Sequence, residues 1–281
     1  MIIDAHQHFW QPERGDYGWL TPDLVPLYRD FMPDDLAPLL ALNGVDGSIL
    51  VQAAPTIAET EFLLRIADEK PFVLGVVGWV EFASPSAATD IARLAAHPKL
   101  VGLRPMIQDI ADDDWMLDPA LAPAFDAMTE HDLTFDALVL PRHLSRLGTL
   151  MSRHPNLRTI IDHGAKPEIA TGVFEIWAED IGEIAEKSDA FCKLSGVLTE
   201  AGDAWTRESI APYVQHLFAS FGPERLIWGS DWPVLNLAGD YTEWHDLALS
   251  FTQSEPEKKA IFGANALHAY KKLETAPSSP E

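Results

Sequence analysis

The chain opens Met1-Ile2-Ile3-Asp4-Ala5-His6-Gln7-His8. A short apolar run leads into two imidazoles two positions apart, the pattern of a first strand that ends in polar residues. Residues two apart in a strand point to the same face. His6 and His8 are therefore expected to project together, with Asp4 one step lower beside them. If that strand lines a barrel, the pair stands at its mouth. With ten histidines in the chain, a His-x-His carries little weight alone. Its weight depends on whether the remaining strands build such a barrel.

Apolar runs rich in β-branched residues recur along the chain, each followed by a helical pattern. A long aromatic loop, residues 9–32, comes first and holds Trp10, Tyr17, Trp19 and Tyr28. Pro33-Asp34-Asp35 then reads as a helix start and Asn43-Gly44 as its end. Further strands are expected at 48–52, 72–80, 100–106, 134–140, 158–162, 190–194 and 225–228. The helices between and after them are expected at 59–69, 86–96, 119–131, 143–153, 173–186, 207–221 and 241–251. A last helix over 256–272 precedes a tail, 274–281, whose three prolines and two serines suit disorder. Strands alternating with helices imply right-handed crossovers and a parallel sheet. Eight such units fit an α/β fold, a single-domain (β/α)8 TIM barrel over residues 1–273 with an extra C-terminal helix. A doubly wound open sheet is the alternative, but no Gly-x-Gly-x-x-Gly turn follows the first strand.

Composition narrows the function. The 281 residues are 47% hydrophobic and 22% charged, ordinary for a globular enzyme. Lys plus Arg is 20 and Asp plus Glu is 43, a net charge of −23. That charge repels nucleic acid and anionic membranes, so neither is expected as a partner. No apolar run is long enough for a membrane span, and no signal segment is expected, because Met1 leads straight into the first strand. The single cysteine, Cys192, excludes an internal disulfide framework, and a cytoplasmic location is expected.

In a barrel of this kind the active site lies at the carboxyl ends of the strands. Those ends carry His6 and His8, then Gln52, Trp79, Arg104, His163, Lys193 with Ser195, and Asp231. Each also has a structural reading. Asp231 would cap a turn, His163 would be a hydrogen-bonded core residue, and Lys193 and Arg104 would neutralise buried carboxylates such as Asp4, Asp136 and Asp162. His143 follows the fifth strand and is a further candidate. Cys192 should point away from the barrel interior if Lys193 points in, which argues against a cysteine nucleophile.

At these residues the chain resembles the amidohydrolase superfamily: His6 and His8 on strand one, His163 on strand six, Asp231 on strand eight. Val101-Gly102-Leu103-Arg104-Pro105, Lys193-Leu194-Ser195-Gly196 and Gly229-Ser230-Asp231-Trp232-Pro233 narrow the resemblance to the branch containing sugar lactonases such as L-fuconolactonase and L-rhamnono-lactonase. Strand four offers Arg104 and no lysine, and strand five has no histidine, so the bridged two-metal centre of many members is not expected. The resemblance implies either one divalent metal, zinc by its N3O donor set, on His6, His8, His163 and Asp231, or no metal at all.

It also implies hydrolysis of a sugar-acid lactone. Asp231 would be the general base, kept ionised by His163, Arg104 and Lys193, and the His6/His8 pair, with or without zinc, would stabilise the developing oxyanion together with a cationic neighbour. Gln52, Trp79, Arg104, Lys193, Trp10 and Trp19 would bind or cover the sugar, and the 9–32 loop would serve as a lid. A hydrolase or decarboxylase acting on a carboxylated, aromatic-derived substrate is one alternative, with Arg104 and Lys193 binding its carboxylates. A barrel that only binds sugar acids is the other. Assembly into a homo-oligomer is left open.

Overall fold

The structure, a computed structural model, describes residues 1–274. The strands are β1 (Ile3–Gln7), β2 (Gly47–Val51), β3 (Val73–Gly78), β4 (Leu100–Leu103), β5 (Thr134–Ala137), β6 (Thr159–Ile161), β7 (Phe191–Leu194) and β8 (Leu226–Trp228). They form one parallel sheet in chain order, the eight-stranded barrel the alternation predicts. The helices are α1 (Pro33–Asn43), α2 (Ile57–Glu69), α3 (Ala87–Ala95), α4 (Ala122–Glu130), α5 (Leu144–Arg153), α6 (Glu175–Lys187), α7 (Val197–Ala201), α8 (Arg207–Phe221), α9 (Tyr241–Leu249), α10 (Glu255–Lys259), α11 (Asn265–Ala269) and α12 (Lys271–Glu274). No helix among the described residues is long and apolar enough to cross a membrane.

Two apolar layers hold the barrel. Inside it, Ile3, Ala5, Ile49, Val51, Val77 and Ile227 pack together with residues of the C-terminal segment. A larger cluster fills the space between strands and helices. Burying such side chains is worth roughly 1.5–3 kcal/mol each. Helix ends follow the sequence signals. Asp35 accepts the Met32 amide at the start of α1, and Gly44, at φ 64°, ends it.

The C-terminal segment departs from the single helix expected over 256–272. It breaks into α10, a wide π turn at Ala260–Ala264, α11 and α12. The break at Tyr270 drops its hydroxyl into the barrel, where it donates to Asp136 Oδ2 at 2.7 Å. Apart from Glu274, the tail expected over 274–281 lies outside the described residues.

Candidate active site

β1 is not a regular strand. Asp4 pairs with Ser48 and Gln7 with Leu50, so three steps on β1 match two on β2. One residue is extra, a bulge that breaks the alternation. Asp4 therefore does not stand below His6 as the period-two reading expects. It turns toward the helices, where its carboxylate accepts from Ser230 N (2.8 Å), Ser230 Oγ (2.6 Å) and Tyr241 Oη (3.0 Å). Burial raises its pKa to about 6 even with those donors.

The barrel closes beyond the end of β8. Asp231 N donates to His6 O, and His8 N donates to Trp232 O, each at 2.7 Å. Gly229 permits this approach, because a Cβ there would lie 2.7 Å from the His6 Cβ and 3.0 Å from its amide nitrogen. The closure thus sets Asp231 between the two β1 histidines. Asp231 itself is left-handed, φ 60°. His163 arrives from the far side on a turn of four consecutive left-handed residues, His163, Gly164, Ala165 and Lys166, with φ between 52° and 61°. Each non-glycine in that conformation costs roughly 1–2 kcal/mol, so packing must hold the turn in place.

Three imidazoles meet one carboxylate oxygen. His8 Nε2, His6 Nε2 and His163 Nε2 lie 3.3, 3.7 and 3.9 Å from Asp231 Oδ1. All four residues are buried or nearly so. Burial alone would raise the Asp231 pKa, but His163, His8 and His6 outweigh it and hold the carboxyl well below the usual range. Burial lowers the His163 pKa to about 4, against the pull of Asp231 and Asp162 and with a push from the nearby Lys166. Burial and then Lys193 lower His6 well below an ordinary histidine. The cup therefore holds an ionised carboxylate beside neutral imidazoles of His163 and His6.

The outer ring nitrogens fix the orientation of these groups. His8 Nδ1 lies 2.8 Å from Val51 O, and His163 Nδ1 lies 2.8 Å from Ser195 Oγ. His6 Nδ1 is 3.1 Å from Lys193 Nζ. A lysine ammonium only donates, so a neutral His6 that accepts at Nδ1 carries its proton on Nε2, which stands 3.7 Å from Asp231 Oδ1 and 3.4 Å from a second donor, Arg104 Nη1. His8, by contrast, donates Nδ1–H to a carbonyl and turns Nε2 toward the carboxylate. Nε2 and Asp231 Oδ1, 3.3 Å apart, face each other across a place for one shared cation, a proton on the ring or a metal ion. His6, His163 and Asp231 each offer a ligand atom within 4.8 Å of the others. The donor set fits a metal ion held by His6, His163 and Asp231, with His8 Nε2 beside the same carboxylate oxygen; His6 would join in the tautomer that carries its proton on Nδ1, 3.5 Å from Asp162 Oδ1.

The other residues expected at the site divide. Lys193 is fully buried beneath the cup, 2.5 Å from Asp136 Oδ2 and 2.9 Å from Asp162 Oδ1. It neutralises two buried carboxylates and does not line a surface that a sugar can reach. Arg104 is 3% exposed, 3.4 Å from Asp162 Oδ2, and its Nη2 donates to Gln52 O. Gln52, equally buried, returns a bond from Nε2 to Arg104 O at 2.7 Å. The two lace the floor together. Trp10 is also fully buried, against the expectation that it covers substrate. Its indole N–H donates to Leu27 O and Arg29 O, and its ring packs on Trp19 and Phe31. It pins the base of the 9–32 loop. Trp19 and Trp79 are half-buried; Trp19 donates to Ala53 O at 2.7 Å, and Thr60 Oγ1 holds the Trp79 backbone. His143 is taken up by Asp113, 3.2 Å away. Cys192 is buried with its thiol pKa pushed up by desolvation, no nucleophile.

Several residues escaped sequence reasoning. Glu59, one turn into α2, folds back to accept from Ala53 N and Ala54 N, the latter at 2.5 Å. It braces the backbone beside Gln52, and burial raises its pKa to about 7. In sequence it reads only as the end of a Thr56-Ile57-Ala58-Glu59 cap. Lys166 bonds Gln108 Oε1 at 3.2 Å and pairs with Glu200 Oε1 at 3.1 Å. Burial raises the Glu200 pKa, Lys166 pulls it back, and the nearby Asp231 adds to the rise. Nothing in the local pattern marks these loop residues. Gly196 is another: at φ 68°, a Cβ on it would stand 2.8 Å from His163 Nδ1. Gly196→Ala is expected to displace the imidazole and cut kcat on the order of 100-fold, with a stability loss of about 1–2 kcal/mol from the backbone alone. Steady-state kinetics alongside thermal melts measure both; unchanged kcat would show that His163 tolerates the shift.

Comparison with known proteins agrees with this geometry. Residues 3–272 match the family model described as Amidohydrolase. The chain is 49% identical over 279 residues to an L-fucono-1,5-lactonase of Burkholderia ambifaria, covering 96% of this chain and 95% of that one. It is 34% identical to an L-fucono-1,5-lactonase of Burkholderia multivorans, with 95% of each covered. Among solved structures, an amidohydrolase from Burkholderia multivorans with bound zinc superposes with a TM-score of 0.89 at 34% identity, over 96% of this chain and 99% of that one. By the family match and by near-full-length similarity, the chain belongs to the amidohydrolase family.

Proposed function

We propose that the protein hydrolyses a sugar-acid lactone of the L-fucono-1,5-lactone kind. Water attacks the ring ester carbonyl, and Asp231 takes its proton. The observation that carries this reading is the convergence of three imidazole nitrogens on one ionised carboxylate oxygen, 3.3–3.9 Å away, at the end of the barrel strands. The 49% identity to a lactonase supports it.

The chemistry follows from the charges. Asp231 is ionised and keeps 5% exposure, a face by which water can approach it. His6, with its proton on Nε2, donates to the oxyanion as the carbonyl carbon becomes tetrahedral. Asp231 then returns the proton to the departing ring oxygen, which leaves as the hydroxyl of the open acid. A lactone is an activated ester, so little further electrophilic help is required. A single zinc ion on His8, His163, Asp231 and His6 would polarise the carbonyl as a Lewis acid. Ser195 is not a nucleophile here. Fully buried, it sits behind the His163 ring on the nitrogen opposite the one that faces Asp231.

The carboxylated-substrate alternative loses its support. The cations it needs, Lys193 and Arg104, are buried and spent on Asp136, Asp162 and a backbone carbonyl. A pH-indicator assay on a lactone panel tests the reading, with the enzyme assayed before and after exhaustive chelation. The expected result is one proton released per six-membered sugar lactone opened, and at least 100-fold lower kcat/KM on a carboxylated lactone. Turnover of the carboxylated lactone alone would overturn it. Loss of activity on chelation, restored by zinc, marks the metal as required; unchanged activity marks the side chains as sufficient.

A further inference from the structure

Three polar side chains from three separate loops meet beside the cup, and the mechanism above uses none of them. Gln108 lies in the short 3-10 turn after β4, Lys166 ends the left-handed turn after β6, and Glu200 sits one turn into α7. The side chains of Lys166 and Glu200 are 25% and 22% exposed, so they form part of the rim and not of the core. Both are tied to the backbone that frames His163. Lys166 N donates to His163 O at 2.9 Å, and Glu200 N donates to Gly196 O at 3.0 Å. Gly196 in turn lies so close to the imidazole that a Cβ on it would collide with the ring.

The backbone conformation is the second observation. Sparsely populated backbone persists where the surrounding structure imposes it, and such residues gather at functional sites. Three of the four residues in the 163–166 turn carry side chains and are still left-handed. Holding His163 accounts for the first. The turn then continues through Ala165 and Lys166, and its effect is to bring the Lys166 ammonium over to Gln108 and Glu200.

We propose that Lys166, Glu200 and Gln108 read the ring hydroxyls of a neutral sugar lactone and so determine specificity. The assignment rests on the lactonase reading and names the part of the substrate this edge takes. A hydroxyl is at once a donor and an acceptor. Lys166 Nζ spends two of its three N–H groups on Gln108 Oε1 and Glu200 Oε1, leaving one to donate. Among the described residues, Glu200 Oε2 and the Gln108 amide N–H groups make no side-chain hydrogen bond, so the first can accept and the second donate. Neighbouring hydroxyls can therefore bridge carboxylate, ammonium and amide in turn. The paired charges cancel, so the edge attracts no net charge and meets a substrate carboxylate with Glu200. That suits a polyol and disfavours a dicarboxylate.

The test compares a hydroxylated six-membered sugar lactone with plain δ-valerolactone, on wild-type enzyme and on Glu200→Gln, Lys166→Met and Gln108→Leu. The readout is the ratio of kcat/KM for the two lactones. A charge-assisted hydrogen bond to a substrate hydroxyl is worth about tenfold or more in discrimination. The ratio is expected to fall at least tenfold in Glu200→Gln and Lys166→Met, and less in Gln108→Leu, chiefly through KM for the sugar lactone. Circular dichroism identifies any variant that fails to fold, and the three variants sit on three different loops. A ratio within twofold of wild type in the folded variants overturns the assignment while leaving the lactonase reading intact. Wild-type enzyme inactive on every sugar lactone refutes both.

Discussion

Asp231→Asn should lower kcat by a factor on the order of 10²–10⁴ and leave KM little changed. Asparagine keeps the shape of the side chain and tolerates the left-handed backbone at φ 60° better than most residues. The barrel seam is preserved too, because it uses the Asp231 amide and not the carboxylate. What disappears is the ionised oxygen that three imidazoles surround. A melt should therefore look close to wild type while turnover collapses. Near-normal turnover would remove Asp231 from the role of base. The surrounding histidines also set where the wild-type enzyme weakens in acid. They hold the carboxyl well below the usual range, so acidification through pH 4, where a free aspartate would take up its proton, leaves Asp231 ionised. An acid limb near that pH belongs to another group; His163, which protonates at about 4, is the first candidate.

Lys193→Met has the second large effect, and it falls on stability. The ammonium lies between Asp136, Asp162 and His6 with no exposure to solvent. Removing one member of a buried charged set typically costs about 3–5 kcal/mol, because the remaining charge stays desolvated and unpaired. For a chain of this size that is a Tm drop on the order of 10 °C. Adding Asp136→Asn to the same chain removes one of the orphaned charges and should recover part of the loss. Thermal melts of the single and double variants decide it. A single-variant loss under about 1 kcal/mol would mean that solvent reaches the lysine after all.

The fold was legible because it rests on periodicity. Eight apolar runs, a helix start at Pro33-Asp34-Asp35 and a stop at Gly44 are local signals, and each is where the pattern puts it. The identities at the strand ends were legible for the same reason. Orientation was not. Whether Asp4 faces His6 depends on one extra residue in β1, and a bulge has no reliable signature in Asp4-Ala5-His6. Lys193 at a strand end reads equally as a substrate cation or as a counterion to Asp136 and Asp162, and only three-dimensional placement separates the two. Trp10 reads as a lid residue until the Leu27 and Arg29 carbonyls are seen to claim its N–H. The left-handed turn from His163 to Lys166 contains a single glycine, so sequence alone suggests at most one such residue there.

The seam between the two ends of the barrel also governs when the site comes into being. His8 and Asp231 are 223 residues apart in the chain and adjacent in space. During synthesis the histidines emerge at once, while Asp231 follows only after all eight strands have been made. Until the last strand docks, the first has a free edge and the imidazoles have no carboxylate to surround. Pairing at such sequence separation is slow to form, which makes the reactive centre one of the last pieces of the molecule to assemble. A chain stalled before that step would be a nearly complete barrel with no chemistry.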